Sequence, residues 1–65
     1  MDKCWENQFG DKIWANWEEC PNRYYFQIHY ADKKIIGADS ILGAKREVGK
    51  KYSPVKCKWE YKGEF

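Results

Sequence analysis

The sequence predicts an α+β fold, an antiparallel sheet of four to five strands with one helix packed on one face, in the order β-β-β-β-α-β. Residues 55–62 alternate, with Val55, Cys57, Trp59 and Tyr61 on one side and Lys56, Lys58, Glu60 and Lys62 on the other, the period of a half-buried strand. Ile41, Ala44, Val48 and Tyr52 recur at helical spacing before Ser53-Pro54, which cannot continue a helix. Upstream, Gly10-Asp11, Pro21-Asn22 and the polar run Ala31 to Lys34 divide the chain into strand-length pieces.

Taken in order, Cys4–Phe9 and Lys12–Glu18 flank Gly10-Asp11, a two-residue connection of the hairpin kind. Such a turn sets Phe9 against Lys12, Asn7 against Trp14 and Trp5 against Asn16. Trp5, Phe9 and Trp14 then share one face, and Ile13, Ala15 and Trp17 the other. Both faces carry aromatic rings, so alternation leaves the core face of this hairpin open. Pro21-Asn22 turns the chain into a strand over Arg23–Tyr30, with Tyr24, Phe26, Ile28 and Tyr30 on one side and Tyr25, Gln27 and His29 on the other. After the polar break, Ile35–Ala38 returns as a short strand.

The helix begins at Asp39 or Ser40 as N-cap. Its outer face carries Arg46, Glu47, Lys50 and Lys51; Glu47 and Lys51 form an i,i+4 pair, and Lys50 and Lys51 suit the negative end of the helix dipole. Lys45 falls inside the apolar arc, where its stem packs on the core and its ammonium reaches out to water. Gly43 and Gly49 each weaken the helix by about 1 kcal/mol relative to alanine, so packing must hold it. They also suit a close approach to the sheet or to a partner.

At 65 residues the chain is a single domain, spanning 1–65 without linker or repeat, and too small for a deep enzyme pocket. Trp5, Trp14, Trp17 and Trp59, with the tyrosines and phenylalanines, supply the bulk that lets so small a core close, and leave some rings exposed. No apolar run matches a signal peptide or a membrane span, which reads as a complete, soluble product of the cytosol. Cys4, Cys20 and Cys57 are widely spaced and lack metal-ligand spacing, so free thiols are expected, with Cys57 a small core residue. Charge is uneven: residues 1–32 hold three basic against six acidic side chains, and residues 33–65 hold nine against four.

No catalytic residues, metal ligands or cofactor motif emerge. His29 is the single histidine, neither Cys20 nor Cys57 stands at a spacing that makes it a partner, and the glycines lack the phosphate-loop pattern. A non-enzymatic function is the expectation. Binding has more material: Lys45, Arg46, Lys50 and Lys51 on the helix and Lys56, Lys58 and Lys62 on the last strand, the latter leaving by the face opposite the helix. If that open face also carries Tyr25 and His29, it joins stacking rings to phosphate-binding charge, as single-strand-binding sheets do. Trp14, Tyr25, His29, Lys45, Arg46, Lys50, Lys51, Lys56 and Lys58 are therefore the candidate partner-binding residues. The alternative is that the lysines only solubilise an aromatic-rich domain and blunt its edges.

The segment from Ser40 to Pro54, with a serine cap leading into Ala44-Lys45-Arg46 and set between a strand and an alternating terminal strand, resembles a pattern in very small phage-encoded proteins. Among these it is similar to type I anti-CRISPR proteins of like length, which carry a sheet and one helix with an Ala-Lys-Arg stretch. The resemblance covers this segment alone. It implies a non-enzymatic inhibitor in the host cytosol that binds a protein or ribonucleoprotein complex, a CRISPR-Cas surveillance complex, and blocks its nucleic-acid site. The other function the residues suggest is direct binding of DNA or RNA by the basic, aromatic-bearing sheet and helix.

Overall fold

In the computed structural model, which describes all 65 residues, β1 (Lys3–Asn7), β2 (Lys12–Glu18), β3 (Arg23–His29) and β4 (Ile35–Ala38) run as an antiparallel meander. The helix α1 (Ile41–Tyr52) follows, and β5 (Trp59–Glu64) returns to pair antiparallel with β1. All five strands lie in one sheet, in the order β4-β3-β2-β1-β5. The β-β-β-β-α-β order predicted from the sequence holds, and the helix carries the chain from one sheet edge to the other.

The first hairpin differs from expectation by its turn. Asn7 N–H donates to the Asp11 carbonyl and Gly10 N–H to the Asn7 carbonyl, so the loop is the three residues Gln8, Phe9 and Gly10. Gly10 sits at φ 86°, the left-handed position that closes a type I turn with a bulge. Asn7 organises it locally, its Oδ1 accepting from the N–H groups of Phe9 and Asp11. The register becomes Trp5 against Ile13 and Cys4 against Trp14, an odd slip from the two-residue alternative that reverses which face each residue occupies. Trp5 therefore shares a face with Ile13, Ala15 and Trp17, and Trp14 lies on the other.

The β3–β4 connection repeats this geometry. Tyr30 N–H donates to the Lys34 carbonyl, Lys33 N–H to the Tyr30 carbonyl, and Lys33 takes the glycine-like position at φ 74°. A side chain in that region costs about 1–2 kcal/mol. Lys33→Gly should therefore stabilise the fold by about 0.5–1 kcal/mol, net of glycine's own entropy cost, measurable by urea denaturation. An unchanged or lowered midpoint would contradict this backbone assignment.

Of the two sides of β3, the one carrying Ile28 and Tyr30 is the core face: Ile13 and Ile28, directly paired, are fully buried together with Ala44 and Val48 of α1, and Tyr30 closes the cluster. Trp5, Ile36, Ala38, Ile41, Tyr52, Cys57 and Trp59 pack around it. Ile41, Ala44, Val48 and Tyr52 thus all face the sheet, as their spacing requires, and Ser40 caps the helix through Oγ, which accepts from Gly43 N–H at 2.9 Å.

One buried carboxylate joins both three-residue turns to the helix end. Asp11 is wholly inaccessible, and its oxygens accept from Asn7 Nδ2 at 3.1 Å, from Ala31 N–H at 2.8 Å and from the Tyr52 hydroxyl at 2.5 Å. Burial pushes the Asp11 carboxyl up. The bonds from Tyr52, Ala31 and Asn7, aided by Lys51, outweigh that and hold it below the ordinary carboxylate range. The same bond pushes the Tyr52 phenol up to about 12. Phe9 stacks on Tyr52 with ring centroids 3.9 Å apart, covering the junction.

The last strand starts later than its alternation suggests. Residues 55–58 follow the residue pattern of β5 but have no strand to pair with, because β1 ends at Asn7 and turns away. The Gln8 amide substitutes: its Nε2 donates to the Lys56 carbonyl at 2.8 Å and its Oε1 accepts from Lys58 N–H at 2.6 Å. Val55 is consequently 54% exposed rather than buried. Cys57 is half-buried against the core, and Cys4 is the cysteine that is fully enclosed; all three thiols are free.

Candidate functional site: a cationic groove beside the helix

The segment that Gln8 holds stands away from α1 and leaves a groove of about 440 Å³ between them. Its lining includes Cys57 and Trp59 from the returning chain, Gly49 from the helix, and the rim residues Leu42, Lys45, Arg46, Val55 and Lys56. Leu42 is 67% exposed and, with Val55, supplies uncovered apolar surface. No carboxylate lines the groove, and Lys45, Arg46 and Lys56 take part in none of the protein's ion pairs. Lys45 is half-buried, as its place inside the apolar arc implies.

Three of the sequence candidates, Lys45, Arg46 and Lys56, are thus brought together. Lys56 was expected on the face opposite the helix; it lies on the helix side because the chain there is not a paired strand. Lys50 and Lys51 point elsewhere. Lys50 pairs with Glu47 at 3.6 Å, while Lys51 reaches Asp32 at 3.7 Å and lies 4.7 Å from the centre of the Tyr30 ring, so the expected Glu47–Lys51 pair gives way to these partners. Arg46 therefore lines the groove with Lys45, and Lys50 does not. Lys58 lies beside Glu6 and Glu60 on the β1–β5 side.

Trp14, Tyr25 and His29 do share the open face, through the register that pairs Trp14 with Gln27, Asn16 with Tyr25 and Lys12 with His29. Lys56 is absent from it. Lys12, which alternation did not single out, stands directly opposite His29, a pairing set by the β2–β3 turn, whose residues 19–22 close the Glu18–Arg23 pair. Leu42 and Val55 were likewise assigned to the helix flank and the strand interior.

His29 is set against Gln27, 3.1 Å from its Oε1, on the open face, whereas Cys57 is on the helix side and Cys20 in the turn at the far end of β2. Burial raises the Cys4 thiol, so it stays protonated at neutral pH. The chemistry available in the groove is therefore electrostatic and apolar contact: a guanidinium suited to bidentate pairing, two ammonium groups and a hydrophobic floor.

Gly49 belongs to this floor. A methyl group there would meet no atom within 4 Å, so the glycine reflects open groove and not close packing on the sheet. Gly49→Ala should raise the helix's stability by about 1 kcal/mol, seen as a melting-temperature rise of about 4–8 °C. A fall would mean that the groove is closed in solution.

No helix is long and apolar enough to cross a membrane. Comparison with protein-family models, curated proteins and solved structures yields no match.

Proposed function

We propose that this chain is a non-enzymatic binding protein that seats the groove between α1 and residues 53–59 on an acidic, apolar-edged surface of a partner. The observation that carries this reading is the set of three unpaired cations, Lys45, Arg46 and Lys56, around exposed Leu42 and Val55 with no carboxylate among the lining residues. Their charge is not spent within the fold, so a partner's carboxylates gain it without breaking an existing pair. An apolar centre with a charged rim is the usual anatomy of a protein interface, and about 800 Å² per partner is within reach of a chain this small.

The Ala44-Lys45-Arg46 resemblance gives the proposal its specific form: an anti-CRISPR inhibitor that binds a host surveillance complex in the cytosol and obstructs its nucleic-acid site. The groove supplies the attachment and the bulk of the domain the obstruction. The test is co-purification of the tagged chain with a type I surveillance complex, with and without nuclease, followed by target-DNA binding of the complex. A nuclease-resistant complex that no longer binds target DNA is expected. Failure to form one with any type I complex would end the inhibitor reading, and a complex lost on nuclease treatment would transfer the function to direct nucleic-acid binding.

A further inference from the structure

On the face away from the helix, a cleft of about 400 Å³ opens where the two three-residue turns meet the sheet. Lys12, Trp14, His29, Lys33 and Ile35 line it, and none of its lining residues is acidic. We infer that this cleft is a nucleotide site, the base lying against the Trp14 indole and the phosphate between the Lys12 and Lys33 ammonium groups.

The charge arrangement carries the inference. Three carboxylates lie close enough in the fold to neutralise these lysines, and each is engaged elsewhere. Glu6 is directly across the ladder from Lys12, but its carboxylate faces Lys62 at 4.0 Å. Asp32 precedes Lys33 in the turn and reaches Lys51 on the helix side. Asp11 precedes Lys12 and is turned inward to Asn7, Ala31 and Tyr52. Lys12 and Lys33 are left without any ion pair. Two unneutralised ammonium groups beside a histidine make a site for a dianion.

The ring chemistry narrows the class. Trp14 is half-buried, and its neighbours His29 and Phe65 meet it at 64° and 60°, so no ring is stacked on the indole. An unstacked indole beside phosphate-binding cations is the arrangement that holds bases in single strands, at about 1–3 kcal/mol per stacked base. A volume near the lower end of ligand sites suits one nucleotide. That nucleotide is either free or one unit of a single strand.

The experiment is a titration of the full chain, followed by the NMR signals of the Trp14 indole N–H and the His29 ring, with a nucleoside monophosphate, a deoxythymidine decamer and inorganic phosphate. Shifts of Trp14 and His29 with the first two are expected. Lys12→Gln with Lys33→Gly should weaken binding at least tenfold; Lys33→Gly relieves the strained turn, so this variant stays folded. Lys45→Glu with Arg46→Glu, in the groove on the opposite face, should leave it unchanged, which separates this inference from the proposed protein-binding function. Binding by the monophosphate as tight as by the decamer identifies a free-nucleotide site. Tighter, steeply salt-dependent binding of the decamer identifies a strand site. If inorganic phosphate binds as well as the nucleotide, or if Trp14 does not shift, the inference is overturned.

Discussion

Asp11→Ala should cost the fold about 2–4 kcal/mol, because it strips the acceptor from two backbone turns and the helix end at once and leaves buried donors unpaired. For a chain of this length total stability is about 3–10 kcal/mol, so the variant is expected to be partly or wholly unfolded at room temperature. Urea denaturation followed by tryptophan fluorescence measures it. Tyr52→Phe, which keeps the ring stacked on Phe9 and removes one donor, should cost less, about 1–2 kcal/mol. If Asp11→Ala proved no more harmful than Tyr52→Phe, the carboxylate would not be the tie between the turns.

Both groups also contribute to the pH dependence of the fold, with opposite signs. The folded Asp11 carboxyl lies below its unfolded value, so its contribution is complete above about pH 4 and is lost as the pH falls through the folded value. The folded Tyr52 phenol lies above its unfolded value of about 10. Its contribution is complete below that pH and is lost as the pH rises through about 12. Tyr52→Phe should shrink the alkaline limb to the shares of the Cys4 thiol and the Tyr30 phenol, both raised by burial, and leave the acid one, since Asn7 and Ala31 still donate to Asp11.

The second large effect concerns the groove. Lys45→Glu with Arg46→Glu should weaken partner binding at least a hundredfold, each reversal contributing a factor of about ten, or about 1.4 kcal/mol. Folding stability should change by less than about 1 kcal/mol, because neither residue is ion-paired or in the core cluster. Replacing Glu18 and Glu19 at the β2–β3 turn is the control. Should that control abolish binding while the groove variant retains it, the acidic end of the molecule would be the contact surface.

The element order was legible because caps, turns and periodicity are local signals: Ser40, Ser53-Pro54 and the alternation of β3 each report on their own neighbourhood. Register was not. Gly10-Asp11 looks like a two-residue turn until Asn7 is seen to bridge to Asp11, and the change of register moves Trp5 and Trp14 from one shared face to opposite faces. In the same way, the alternation of residues 55–62 reports the chemistry of two sides and says nothing of a backbone partner, which 55–58 lack. The site was legible only in part for a related reason. Helical spacing fixes which side chains can meet, so Glu47 and Lys51 looked like a pair; Asp32 and the Tyr30 ring take Lys51 instead, and these are tertiary contacts.

Residues 56–58 are tied to the sheet by one glutamine amide and the packing of Cys57, not by a strand ladder, and they form one wall of the groove. A segment held by the two bonds of Gln8 and the packing of Cys57 lacks the ladder that β2 and β3 share, so it opens at lower free energy than they do. Hydrogen exchange at Lys58 N–H should accordingly run far ahead of exchange in β2 and β3, and Gln8→Ala should accelerate it further without moving the melting temperature by more than a few degrees. The groove then has one wall built on the helix and one that rests on a side chain's hydrogen bonds and a single thiol's packing.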